Sequence, residues 1–248
     1  MTPSSSPVYL LLGATGGIGT ALAERLAGDG ARLALAARTR DRLDALARRT
    51  GGLVLPTDAT AYEQVEACVQ ATLDHHGRLD GIVNLVGSIL LKPAHLTSLD
   101  EWRRTLALNL DTAFFTVKAA ARPLMKQGGS IVLMASAVAL TGLHNHEAIA
   151  AVKGGVVALA RSAAATYARR GVRVNVVAPG LVRTPLTERL TANEASEKAS
   201  LAMHALGRLG EPEDVAEMIA FLLDEQRGGW ITGQVFGVDG GLSRVRPA

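Results

Sequence analysis

The 248 residues suffice for one large α/β domain, and 48% of them are hydrophobic, so a core can form without disulfide or metal support. A formal charge of +3, from 26 basic residues scattered among 23 acidic ones, gives no electrostatic ground for nucleic-acid binding. The one cysteine, Cys68, cannot form an intrachain disulfide, which suits a reducing cytoplasm and reads as a structural thiol.

In chain order, Met1–Pro7 reads as a flexible tail. It has no basic start, and the apolar run after it is too short for a signal peptide or a membrane span. Val8–Leu12 is a short apolar run ending at a glycine-rich turn, which predicts a buried strand. Helical spacing follows over Ile18–Gly28, with Ile18, Leu22 and Leu26 on one face. Arg32–Ala37 predicts a second strand, Asp41–Arg49 a charged helix, Leu53–Leu55 a third strand, Ala61–His75 a helix and Gly81–Val86 a fourth strand. The alternation continues through helical stretches in Leu99–Met125, a strand at Ser130–Ala135, an alanine-rich helix at Ala148–Tyr167 and a strand at Val172–Val177. A helix opened by proline at Pro212–Leu223 and a strand at Val235–Val238 complete it.

Strands that alternate with helices and lack polar alternation predict a single-domain, Rossmann-like doubly wound parallel sheet with helices on both faces. The domain is expected over residues 8–248, since no Pro/Gly/Ser linker divides it. The long polar connection at 183–206 is expected to be a substrate lid.

The first strand runs into Gly13-Ala14-Thr15-Gly16-Gly17-Ile18-Gly19 and then a helix. Glycines allow a tight turn and close approach to a pyrophosphate, and a helix start offers free amides to that anion. The G-x-x-x-G-x-G spacing does not stand alone. Asp58 follows the third strand, Asn84-Leu85-Val86-Gly87 follows the fourth, and Asn109 lies in the long central helix. Ser136 ends a strand, Lys153 comes 17 residues later, and Pro179-Gly180-Leu181-Val182-Arg183-Thr184 follows the sixth strand. Gly210-Glu211-Pro212 and Val238-Asp239-Gly240-Gly241 come near the end.

This ordered set, spanning residues 8–242, resembles the short-chain dehydrogenase/reductase family, particularly its 3-oxoacyl-ACP reductase-like members. Leu85 and Val86 depart from the family's usual Asn-Asn-Ala-Gly. The resemblance implies a nicotinamide dinucleotide held by Gly13, Thr15, Gly17, Ile18, Gly19, Arg38, Asp58, Ala59, Asn84, Gly87, Lys153, Pro179, Gly180, Val182 and Thr184, with Asp58 near adenine and Thr184 near the nicotinamide amide. It also implies a small-molecule substrate and a homotetramer or homodimer. Phe114, Phe115, Val117 and the alanine-rich helix after Lys153 are open to subunit packing or to core.

Ala37-Arg38 at the end of the second strand sets the cofactor choice. A carboxylate there would bind the ribose 2′-hydroxyl of NAD and repel a 2′-phosphate. Alanine removes that repulsion, and Arg38, with Arg40 as a second candidate, can pair with the phosphate, so NADP(H) is expected in preference to NAD(H). The other reading of Arg38 is a plain surface cation.

The family's acid is a tyrosine four residues before the lysine, on the same helical face. That position here is Ile149, and Tyr9, Tyr62 and Tyr167 are all distant in sequence. An aliphatic side chain neither donates nor accepts a proton. Ser136 and Lys153 keep their spacing, and Asn109 reads either as part of the relay or as a structural bond across the central helices. His146 reads either as a replacement proton donor or as a loop histidine at the pocket rim, and Glu147 and His144 are weaker candidates. No metal-site spacing and no G-x-S-x-G hydrolase elbow is found.

Three functions follow as expectations. The first is an NADP(H)-dependent oxidoreductase acting on a carbonyl or alcohol with an incomplete catalytic set. The second is an NADP(H)-binding protein without turnover, a sensor or structural partner. The third is changed chemistry on the same fold, as a lyase, an isomerase or a double-bond reductase. A cytoplasmic protein that contacts neither membrane nor nucleic acid is expected in each case.

Overall fold

A computed structural model describes residues 6–192 and 194–246. Seven strands form one parallel sheet in the order β3-β2-β1-β4-β5-β6-β7. They are β1 (Val8–Leu12), β2 (Arg32–Ala37), β3 (Leu53–Pro56), β4 (Gly81–Asn84), β5 (Gly129–Met134), β6 (Val172–Pro179) and β7 (Val235–Val238). The apolar runs lack alternation because both faces are covered. Leu10 and Leu12 of β1 enter one core with Ile82, Ile131 and Val174, while Tyr9 and Leu11 enter the other with Leu35, Val83 and Val132. The first core lies under α3 (Tyr62–His76), α5 (Thr112–Leu124) and α6 (Glu147–Tyr167). The second lies under α1 (Gly17–Gly28), α2 (Arg40–Thr50) and α9 (Pro212–Leu223).

The strand order reverses between β1 and β4, which opens a crevice at the carboxyl edge where such sheets bind ligands. The expected tail lies outside the described residues over 1–5, while Pro7 is held through its carbonyl, which accepts the Arg32 amide at 2.8 Å.

Several local expectations are corrected. β4 ends at Asn84, not Val86, because the Asn84 Oδ1 accepts the Val86 amide at 2.9 Å and turns the chain. The central helix is α4 (Leu99–Leu106), a π-helical turn at Ala107–Asp111, then α5. A Ser98/Glu101 capping box starts it. The connection after Thr184 carries α7 (Glu188–Thr191) and α8 (Glu194–Met203) rather than irregular chain, and α10 (Glu225–Gly228) follows α9. Val117 lies in the core and Phe115 packs edge-on to Tyr62 at 5.7 Å, so of the aromatic pair only Phe114 is exposed. The stretch Glu147–Arg170 is long and apolar enough to cross a membrane by composition alone, yet half of it is buried here, as a core helix should be.

Candidate functional site

The glycines after β1 are required by space. Gly13 has φ of +84°, and a Cβ there would stand 3.0 Å from the Leu85 carbonyl carbon. A Cβ on Gly19 would stand 2.5 Å from the Gly13 oxygen. Gly13 and Ala14 both donate backbone N–H bonds to the Ala36 oxygen, at 2.8 and 3.1 Å, which ties the turn to β2. α1 starts with Gly16 as an uncapped N-cap and no acidic residue in its first turn. Its leading amides therefore face the crevice without a competing carboxylate. Thr184 and Pro185 press on the same turn: a Cβ on Gly17 would meet the Thr184 methyl at 2.7 Å and the Pro185 ring at 3.4 Å.

Arg38 stands exposed past β2, and no ion pair engages it among the described residues. Its charge reaches Asp58, whose carboxyl sits below the ordinary range, chiefly because Thr60 donates to it by hydroxyl and by amide and then because of Arg38. Asp58 therefore stays ionised, with Ala59 buried behind it. Arg40 begins α2.

Asn84 is buried, and its amide is engaged by protein groups. Its Oδ1 takes the Val86 amide and its Nδ2 donates to Thr112 Oγ1 at 3.2 Å. Asn109, inside the π-helical turn, is also fully bonded. Its Oδ1 accepts the Ser88 amide at 3.1 Å, and its Nδ2 donates to Ser88 Oγ at 2.9 Å and to the Thr105 carbonyl at 2.8 Å. The side chain thus fixes the segment after Gly87. A Cβ on Gly87 would lie 3.0 Å from Asn109 Oδ1 and 3.4 Å from Lys153 Nζ, so that glycine keeps a slot open between an amide oxygen and a cation.

Lys153 is 6% exposed and donates to the Met134 carbonyl at 2.9 Å. Burial pushes its ammonium down to about 8. Met134 ends β5, and Ser136, two residues on, is half-buried in extended backbone, its Oγ accepting among the described residues only a long 3.4 Å bond from the Val138 amide. Ile149, one helical turn before Lys153, is 4% exposed and packed.

His146 stands just before α6 as its N-cap residue, and its Nδ1–H donates to the His144 carbonyl at 2.6 Å. Glu147 is exposed at the first helical position, and His144 is exposed in the loop. Asn145 between the histidines has φ of +61°, and its carbonyl accepts the Lys92 amide at 2.7 Å, which ties this loop to the one after β4. His146 lies ~4.5 Å along the helix axis from Ile149 at 1.5 Å per residue.

The Pro179–Thr184 segment continues β6. Gly180 donates to the Val238 carbonyl at 3.1 Å, and Val182 is buried and bridges to Gly210. Thr187 Oγ1 donates to the Val182 carbonyl at 2.5 Å and accepts the Thr184 amide at 3.0 Å. His204, which the sequence reading passed over, is 3% exposed with both ring nitrogens bonded. No periodicity or motif singles it out, because its partners are backbone groups, one in the adjoining helix α8 and one 23 residues away at Leu181. Among the described residues no cluster of three or more metal-ligating side chains occurs.

The fold and the residues gathered at its carboxyl edge define a nicotinamide-dinucleotide oxidoreductase scaffold. A family model described as enoyl-(acyl carrier protein) reductase matches residues 13–243. The chain is 35% identical over 243 residues to a 3-oxoacyl-[acyl-carrier-protein] reductase of Thermotoga maritima, covering 95% of this chain and 97% of that protein. It is 35% identical over 252 residues to 2-(S)-hydroxypropyl-CoM dehydrogenase 3 of Xanthobacter autotrophicus, covering 96% and 97%. A solved short-chain type dehydrogenase/reductase from Mycobacterium ulcerans superposes with a TM-score of 0.92 at 33% identity, covering 97% of this chain and 91% of the other. Levodione reductase gives 0.90 at 31% identity, covering 96% and 97%. The chain belongs to the short-chain dehydrogenase/reductase family.

Proposed function

We propose that the protein is a cytoplasmic, NADP(H)-dependent oxidoreductase that reduces a carbonyl or oxidises an alcohol of a small molecule, and that its proton step does not pass through residue 149. The observation that carries this reading is the contrast at one edge of the sheet. The tight glycine turn, Ser136 and Lys153 share that edge, while the residue one helical turn before Lys153 is the buried Ile149, which has no proton to give.

The dinucleotide fits this edge. Gly13, Gly17 and Gly19 let the turn close tightly on Leu85, Thr184 and its own carbonyls, and the leading amides of α1, with Thr15 and Ile18 flanking the turn, would take the pyrophosphate. Arg38 is free to pair with a 2′-phosphate, and Asp58 and Ala59 border the adenine region. Asn84 acts at one remove, by shaping the turn that places Gly87. Pro179, Gly180, Val182 and Thr184 would hold the nicotinamide end. When bound, the cofactor supplies a hydride to, or takes one from, the substrate carbon.

Lys153 would hold the nicotinamide ribose with its ammonium, and Ser136 Oγ, with one long bond among the described residues, would hold the substrate oxygen. Asn109 keeps the Gly87–Ser88 segment in place. The proton comes from water, from the substrate or from His146. With Nδ1–H committed to a carbonyl, His146 donates from Nε2 only as imidazolium. The lid at 183–206 closes over the substrate, and the family's habit of pairing subunits makes a homotetramer or homodimer the expected assembly.

The test is NADPH consumption across a panel of ketones, aldehydes and enones, with NADH beside it. Oxidation of NADPH with at least one carbonyl, faster than with NADH, supports the reading. A second reading, dinucleotide binding without turnover, is favoured by the burial of Ile149, and tight NADPH binding with no consumption across the whole panel would establish it.

A further inference from the structure

We propose that His204 is a positioning residue that couples the lid to the nicotinamide end of the cofactor site, one ring nitrogen holding the lid helix and the other holding the Pro-Gly turn. The proposal rests on the reading that a dinucleotide binds at this edge.

His204 follows α8 directly, and its Nδ1 lies 2.6 Å from the Ser200 carbonyl in that helix. A carbonyl only accepts, so Nδ1 carries the proton. Nε2 lies 3.2 Å from the Leu181 amide, which only donates. The two partners together require the neutral Nδ1–H tautomer. The ring is 3% exposed, so neither partner is readily replaced by water. Losing the ring would leave a part-buried Leu181 N–H without its acceptor.

The ring also explains one glycine and packs against a second. Gly180 does not need a positive φ, yet a Cβ there would stand 2.6 Å from His204 Nε2 and 3.0 Å from the Asp239 Cα. Gly240, after β7, has φ of +57°, and its Cβ would stand 3.4 Å from His204 Cδ2. The imidazole therefore fills the gap between two glycine turns, one after β6 and one after β7. Asp239 is committed elsewhere, to the Gly241 and Ser243 amides and the Ser243 hydroxyl, so it does not compete for the ring.

From Leu181 the register runs straight to the cofactor cradle. Val182 bridges to Gly210, and the Arg183 amide donates to the Gly210 carbonyl at 2.9 Å. Thr184 and Pro185 then meet Gly17. A second tie runs in parallel, since Arg183 pairs with Glu197 of α8 and, at 3.5 Å, with Glu211. That pair is partly exposed and therefore weak, whereas the His204 contact is buried.

The experiment compares wild type, His204→Ala and His204→Gln by calorimetry with NADPH, by thermal melting and by backbone amide exchange without nucleotide. Glutamine places an acceptor oxygen near the Nε2 position. The expected result is an NADPH Kd raised at least ~10-fold in the alanine variant and returned to within ~3-fold by glutamine, where 10-fold corresponds to 1.4 kcal/mol. Exchange at Leu181 and across residues 194–203 should speed up in the alanine variant alone. An alanine variant that melts earlier yet binds NADPH like wild type overturns the proposal, as does a glutamine variant no better than alanine. Unchanged exchange at Leu181 overturns it whatever the nucleotide does. Failure of the wild-type protein to bind NADPH overturns the functional reading instead, and the exchange data still decide whether His204 couples lid and turn.

Discussion

The two halves of the carboxyl edge have fared differently. Around β1, β2 and β4 the edge is shaped by backbone: glycines where a Cβ would clash, amides at the start of α1, and a turn tied to the Ala36 carbonyl. Around β5 and α6 the edge is carried by side chains, Ser136 and Lys153, with the buried Ile149 one helical turn before the lysine. Binding that depends on backbone geometry cannot be lost without disturbing the fold. Proton transfer that depends on one phenol can be lost while the helix, the lysine and the serine stay in register.

The largest effect expected from breaking this contrast is at Ile149. Restoring the acid by Ile149→Tyr should raise carbonyl reduction ~10²–10⁴-fold, the usual contribution of a positioned acid, measured as NADPH oxidation with a carbonyl that the panel identifies. No gain would mean the pocket has diverged beyond one residue. Next comes the backbone side. Gly19→Ala puts a methyl group 2.5 Å from the Gly13 oxygen, so α1 must shift from the turn. NADPH affinity should fall on the order of 100-fold by calorimetry, with a cost of roughly 1–3 kcal/mol in stability.

Arg38→Ala sharpens the comparison within the cofactor half. If the guanidinium takes the 2′-phosphate, the NADPH Kd should rise ~10-fold or more while that for NADH stays put, since a charge-assisted bond contributes about 1.5–3 kcal/mol. Equal changes for both nucleotides would assign Arg38 to the surface.

The smallest effect concerns Lys153. Its ammonium is held at about 8 by burial, below the ordinary 10.5, so the native state releases this proton first as pH rises. The stability penalty of the buried charge is in full force below about pH 8 and is relieved between about 8 and 10.5. Lys153→Met should therefore melt a few degrees higher than wild type at pH 7, with the gap closing toward pH 10, while NADPH affinity falls. A variant that melts lower at pH 7 would mean that the bond to the Met134 carbonyl outweighs the desolvation.

Much of this was legible in the sequence. β1, β2, β7 and α9 fall where the pattern puts them, because strands buried on both faces read as apolar runs and Pro212 marks a helix start. The ordered glycines and the Ser136–Lys153 spacing carried the family resemblance, which the comparisons bear out. The sequence did not reveal the π-helical turn at Ala107–Asp111, which lets Asn109 reach Ser88 and is set by that tertiary bond rather than by propensity. Nor did it reveal α8, which buries none of its described residues and so carries no apolar periodicity. His204 was missed for a related reason, since its worth lies in two backbone partners, one in α8 and one in the turn after β6.

The most direct test titrates NADPH into wild-type protein and into Ile149→Tyr, side by side in a calorimeter. The account predicts saturable one-site binding with dissociation constants within ~3-fold of each other, because the grip on the nucleotide is independent of residue 149. Absence of binding heat in the wild type, recovered only with tyrosine, would contradict it.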